Sequence, residues 1–269
     1  MTDRLQNIKF ELICQKVSAG DLSGDSIGTM GEKRLHKVLK HFLCEDESKH
    51  EIRVFPKGHS ATDSEVKSGA SGKGGYIADV LDGDRIIEIQ TGSFYPLKSK
   101  IKFYLENTDY NITVVHPIAA VKHVIWIDPQ CGEISKRNRS PKKGRLSDAL
   151  PELFWLADHI KNDRLSFKLM LLEIDEYRIL NGWSSDKKRG ADKYDKIPVK
   201  LCDSVDVDAL NLMESLVPQG LNGEFISSEF SRLTGLKGRK LSASLKLLCL
   251  LGFIEKGERG AKGFVYKRI

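Results

Sequence analysis

The stretch Ile77-Ala-Asp-Val-Leu-Asp-Gly-Asp-Arg-Ile-Ile-Glu-Ile-Gln90 leaves this chain few ways to fold locally. Two runs rich in β-formers flank Asp82-Gly83, and Asp-Gly between such runs signals a tight hairpin. With Asp82 and Gly83 as the turn, Asp79 is expected opposite Ile86 and Ile77 opposite Glu88. Side chains alternate along a strand, so Asp79, Glu88 and Gln90 should share one face. Ala78, Val80, Ile87 and Ile89 should then form an apolar face for a helix to cover. A one-residue slip would separate the two acids, so the reading rests on this parity.

Around the hairpin the periodicity gives an ordered series. Leu35, Val38, Leu39 and Phe42 repeat at helical spacing within Gly31 to Leu43, and Glu51 to Phe55 reads as a short strand. The Gly- and Ser-rich stretch from Ser60 to Gly75 reads as a loop. Its Gly69-Ala-Ser-Gly-Lys-Gly74 lacks phosphate-loop spacing and precedes a strand instead of following one. Pro96 opens a helix to about Asn107, and Asn111 to His116 and Val121 to Asp128 read as strands. Further on, Ser147 to Ile160 looks helical, and Leu169 to Leu180 and Lys196 to Cys202 look extended. Glu173 and Asp175 share a strand face there and read as solvated surface.

Two carboxylates about one diagonal neighbour apart on a sheet repel unless a cation lies between them. A hard cation such as Mg²⁺ takes oxygen ligands, often one or two carboxylates plus water. With this acid pair in an α/β order, the stretch resembles the PD-(D/E)XK, restriction-endonuclease-like nuclease superfamily. That family's αβββαβ core, with a mixed sheet, is expected over about residues 28–128. The resemblance implies metal ligation by Asp79 and Glu88, with Mg²⁺ or Mn²⁺ as cofactor, and a catalytic set of Asp79, Glu88, position 90 and Glu32. Gln90 stands where the family has lysine; it can hold a water but brings no charge. Lys98 or Lys102 from the following helix is a candidate replacement. Glu32 has a second reading as the third member of a capping box with Thr29. An ordinary polar sheet face is the competing reading for Asp79 and Glu88.

The last 38 residues, from Arg232, carry ten Lys or Arg against Glu255 and Glu258, so the remainder of the chain is slightly acidic. A second basic cluster comprises Lys136, Arg137, Arg139, Lys142, Lys143 and Arg145. Concentrated positive charge favours a polyanion. Leu210, Met213 and Leu216 mark a helix, Ser227 to Leu233 a second, and Arg239 to Leu251 a third that stops at Gly252. Two strands follow, Phe253 to Lys256 and Phe264 to Arg268. This order resembles a winged helix-turn-helix, which implies duplex contact through Arg239, Lys240, Ser242, Lys246 and Lys262. Protein interaction is the other use of that fold.

The expected organisation is therefore a nuclease-like domain over 1–205 and a winged helix over 206–269. The activity expected is Mg-dependent cleavage of double-stranded DNA. The alternative is a catalytically idle nuclease fold acting as a DNA-binding regulator or as a subunit of a DNA-processing complex. A homodimer is compatible with either. Five scattered cysteines without a CxxC pair, and no long apolar run, suggest reduced thiols, a cytoplasmic setting and no membrane partner.

Overall fold

The computed structural model describes residues 4–19, 34–58, 75–180, 192–221, 223–261 and 263–269. Within them the chain is mixed α/β, with seven α-helices and a seven-stranded mixed sheet beside a smaller three-stranded one. The helices are α1 (Arg4–Ala19), α2 (Arg34–Leu43), α3 (Leu97–Asn107), α4 (Leu150–Leu153), α5 (Leu212–Leu216), α6 (Ser227–Thr234) and α7 (Gly238–Leu251). The strands of the large sheet are β1 (His50–Val54), β2 (Tyr76–Asp82), β3 (Arg85–Ile89), β4 (Asn111–Ile127), β5 (Asn138–Arg139), β6 (Leu165–Ile179) and β7 (Asp192–Val207). Their order is β1-β2-β3-β4-β6-β7, with β5 paired to β4. The small sheet is formed by β8 (Glu224–Ile226), β9 (Ile254–Gly260) and β10 (Gly263–Arg268), in the order β8-β10-β9. No helix among the described residues is long and apolar enough to cross a membrane.

Two compact units are present, each made of three segments. The first comprises 1–47, 117–144 and 170–204; the second comprises 48–116, 145–169 and 205–269. The division read from the sequence at 205/206 falls at the start of the last of these segments.

In the second unit, β2 pairs antiparallel with β1 and with β3, and β3 runs parallel to β4. Ala78, Val80, Ile87 and Ile89 are buried, as the alternation requires. Leu97, Ile101 and Tyr104 give α3 its buried stripe. The last carbonyls of α3 lack helical N–H partners, and Arg164 caps one of them and two just beyond the helix. Its guanidinium donates to the carbonyls of Leu105 (2.5 Å), Thr108 (2.7 Å) and Tyr110 (3.3 Å).

Four expectations change. The turn is Gly83-Asp84, not Asp82-Gly83: Asp82 pairs with Arg85, and Gly83 takes φ +60°. A glycine at the first central position is the requirement of a type II′ hairpin turn. The two strands read either side of Pro117 are one strand, β4. Its pairing with β3 ends at Val115, so Pro117 removes no donor from that ladder. Ser147 to Ile160 is not one helix but a short 3₁₀ turn, α4 around Pro151, and another 3₁₀ turn. Leu210 is 92% exposed and precedes α5 instead of anchoring it.

The C-terminal helices and last two strands follow the expected order, with the unexpected strand β8 before α6. Gly252 ends α7 in the left-handed conformation (φ 80°), which glycine adopts without a Cβ clash. The 145–156 segment holds these helices: Arg145 Nη1 donates to Leu233 O (2.8 Å) and Ser147 Oγ to Thr234 O (3.3 Å). Lys246 Nζ lies 5.3 Å from the Phe154 ring centroid.

In the first unit, α1 packs on α2 through Phe10 and Phe42, edge to face at 5.1 Å. Glu173 and Asp175 are not merely solvated. They clamp Arg137 at 2.6 and 2.8 Å, which takes that residue out of the basic cluster's free charge. The buried Glu176 is held by Lys122 (3.3 Å) and by Arg178.

Candidate active site

The observed register runs Val80↔Ile87, Leu81↔Ile86, Asp82↔Arg85. The ladder ends at Val80; continued by one step, the register would bring Asp79 across from Glu88 instead of diagonal to it. The two-residue offset from the expected register preserves parity, so the acids share a face as expected. The Asp79 carboxylate accepts the Ile89 N–H at 2.7 Å, which ties its orientation to the end of β3.

Glu88 is only 1% exposed. Lys100 Nζ donates to its Oε2 at 2.5 Å and the Tyr104 hydroxyl to its Oε1 at 3.0 Å. Burial pushes the Glu88 carboxyl up to about 7; Lys100 opposes that rise and the charge of Asp79 adds to it. Burial, then the Glu88 charge, drives the Tyr104 phenol far above its ordinary range, so it remains a donor. A carboxyl titrating near neutrality beside a second carboxylate and a lysine suits proton transfer.

Lys100 and Tyr104 are the residues that the sequence reading missed. The candidates Lys98 and Lys102 are engaged elsewhere, with Asp158 at 3.2 Å and Glu106 at 3.8 Å. Helical phase distinguishes them. Lys100 is three residues after Leu97 and four before Tyr104, both buried, so it shares their face.

Gln90 follows Glu88 on the same strand face, but its Nε2 donates to Ser93 O at 2.6 Å. Its backbone is pinned as well: the N–H donates to Val115 O (2.9 Å), and His116 Nδ1 lies 2.6 Å from its carbonyl. A carbonyl only accepts, so His116 carries its proton on Nδ1. Burial holds the ring below its ordinary pKa, with the Gln90 contact working against that fall. Glu32 lies outside the described residues, as does Lys262.

Among the described residues no group of three or more His, Cys, Asp or Glu is arranged to hold a metal. The two carboxylates are oxygen donors whose mutual repulsion a divalent cation would relieve, so in kind they fit Mg²⁺ or Mn²⁺. On α7, Arg239, Lys240, Ser242 and Lys246 are all exposed, while Leu245, Leu247 and Leu248 are buried.

The profile of a family described as "Domain of unknown function (DUF8091)" matches residues 33–208. The match contains Asp79, Glu88, Lys100 and Tyr104 and ends before α5. No curated protein and no solved structure gives a significant match to the chain.

Proposed function

This chain belongs to the DUF8091 family, and from the hairpin carboxylates inside the matched residues we propose that it is a Mg-dependent DNA endonuclease of the restriction-endonuclease-like kind. The observation that carries the reading is the shared hairpin face of Asp79 and Glu88, with the Asp79 charge acting on Glu88 and Lys100 donating to it. In this reading Lys100 supplies the positive charge that Gln90 lacks. Asp79 and Glu88 would hold the Mg²⁺ or Mn²⁺, which when bound polarises a phosphate oxygen and acidifies a water. Glu88 would give up its proton near neutral pH to take the metal, Tyr104 would fix its second oxygen, and Lys100 would offset charge on the phosphate. The segment α5-β8-α6-α7-β9-β10 is read as a winged helix, with Arg239, Lys240, Ser242 and Lys246 on the duplex. Phosphate contacts of this type make affinity fall steeply with salt.

Nicking or cutting of plasmid DNA with Mg²⁺ should disappear in EDTA and fall at least ~100-fold in Asp79→Ala, as expected for loss of a charge-stabilising group. Undiminished cutting by Asp79→Ala would remove these residues from the mechanism.

A second reading is favoured by one observation: Glu88 is sealed, and both its oxygens already have donors. An idle nuclease fold that binds DNA as a regulator or complex subunit would show salt-sensitive binding without cleavage of any substrate. Metal-dependent turnover rejects it.

A further inference from the structure

Two large aromatic side chains in the second unit are left at the surface together. Tyr95 is 63% exposed and Trp155 38% exposed, and their rings meet edge to face at 4.9 Å. Exposing that much ring area is unfavourable unless something covers it. Neither ring sits on a loose segment, Trp155 lying in a 3₁₀ turn between Phe154 and the fully buried Leu156. The Tyr95 N–H donates to Ser93 Oγ (3.3 Å), and the preceding Phe94 N–H donates to Glu152 Oε2 (3.2 Å). Phe94 itself is fully buried, edge-on to His116 at 5.0 Å and stacked on Phe167 at 6.4 Å. The pair is therefore a fixed surface.

Its surroundings define the partner. On one side Trp155 adjoins Phe154 (6.1 Å), whose ring lies under the Lys246 ammonium of α7, the helix that exposes Arg239 and Lys240. On the other side Tyr95 stands just before α3, five residues ahead of Lys100. An exposed aromatic pair thus lies between a basic helix and the start of α3. Base rings stack on aromatic side chains regardless of sequence while nearby cations hold the backbone. The geometry points to Tyr95 and Trp155 as a stacking platform for unpaired bases, so that the substrate is a duplex carrying a single-stranded extension. This deepens the nuclease reading and rests on it for the substrate, but the platform is tested by binding alone.

The full chain is titrated in EDTA, by fluorescence anisotropy, with a blunt duplex and with the same duplex bearing a thymidine extension. The readout is the ratio of the two affinities. The parent chain should favour the extended duplex about ten-fold, the range expected for one or two stacked bases. Tyr95→Ala and Trp155→Ala should each bring the ratio close to one, and Trp155→Phe, which keeps a ring, should largely restore it. A parent ratio near one, or an unchanged ratio in both alanine variants, overturns the platform. If the ratio behaves as expected while no substrate is cut with Mg²⁺, the platform stands and the nuclease reading fails. If blunt duplex is cut but the ratio is flat, the reverse holds.

Discussion

Glu88 and Glu176 are both glutamates on central strands, 1% and 3% exposed, yet they are held in opposite ways. At Glu176 burial pushes the carboxyl up, but the Arg178 hydrogen bond and the Lys122 charge outweigh it and hold the group below its ordinary range. At Glu88 burial wins. One lysine and one neutral phenol are its donors, and Asp79 adds a like charge, so the carboxyl rises to about 7. A buried carboxylate with two cations is a structural joint; one with a single cation and an anionic neighbour is a group ready to change its proton or take a further cation. The difference between the units is therefore in charge balance, not in depth of burial.

Removing the lysine from each site separates the two cases most strongly. Lys100→Met leaves Glu88 without its only cationic donor among the described residues and should lower stability by about 3 kcal/mol, the scale for orphaning one side of a buried pair. Lys122→Met leaves Arg178 in place and should cost about 1 kcal/mol, that of one ordinary hydrogen bond. Urea unfolding of both variants measures this. Equal losses would mean that Arg178 does not secure Glu176 and that the comparison is mistaken.

The pH dependence should differ in sign. Glu88 has a folded pKa raised from 4.5 to about 7, so its contribution is fully present below 4.5 and is lost as pH rises through about 7. Glu176 has a lowered folded pKa, so its contribution is present above 4.5 and is lost as pH falls through the folded value. Relative to the parent, Glu88→Gln should therefore gain stability between pH 5 and pH 8. Glu176→Gln should be weaker than the parent at neutral pH and approach it in acid. Melting curves taken from acid, below the Glu176 transition, up to pH 8 test both, and parallel profiles would erase the distinction.

The hairpin was legible because strand side chains alternate with period two. An error of two residues in register still leaves Asp79 and Glu88 on one face. The turn was misplaced because Asp-Gly and Gly-Asp both occur at this site, and glycine's positive φ serves either a type I′ or a type II′ turn. Lys100 escaped notice because its partner is twelve residues away on another element, and only the phase of α3 against Leu97 and Tyr104 reveals it. The capture of Arg137 by Glu173 and Asp175 was hidden for a similar reason: a β6 acid pair finds its cation 36 and 38 residues earlier in the chain. The C-terminal elements were the easiest to read, since Gly252 stops α7 and the leucine stripe fixes its buried side.

A smaller effect than that of Lys100→Met concerns the neutral donor of Glu88. Tyr104→Phe removes the 3.0 Å hydrogen bond to Glu88 Oε1 but keeps the ring that meets Tyr76 at 6.2 Å and Phe103 at 5.9 Å. Packing is thus largely conserved, and the cost should be about 1 to 2 kcal/mol, that of a hydrogen bond to a charged acceptor. Because this bond stabilises the ionised form, its loss should also push the Glu88 titration further up. In the nuclease reading, the alkaline rise of the Mg-dependent rate then moves to higher pH in the variant. A rate profile that stays in place while stability falls would show that the phenol serves the fold alone and that Glu88 does not titrate in the rate-limiting step.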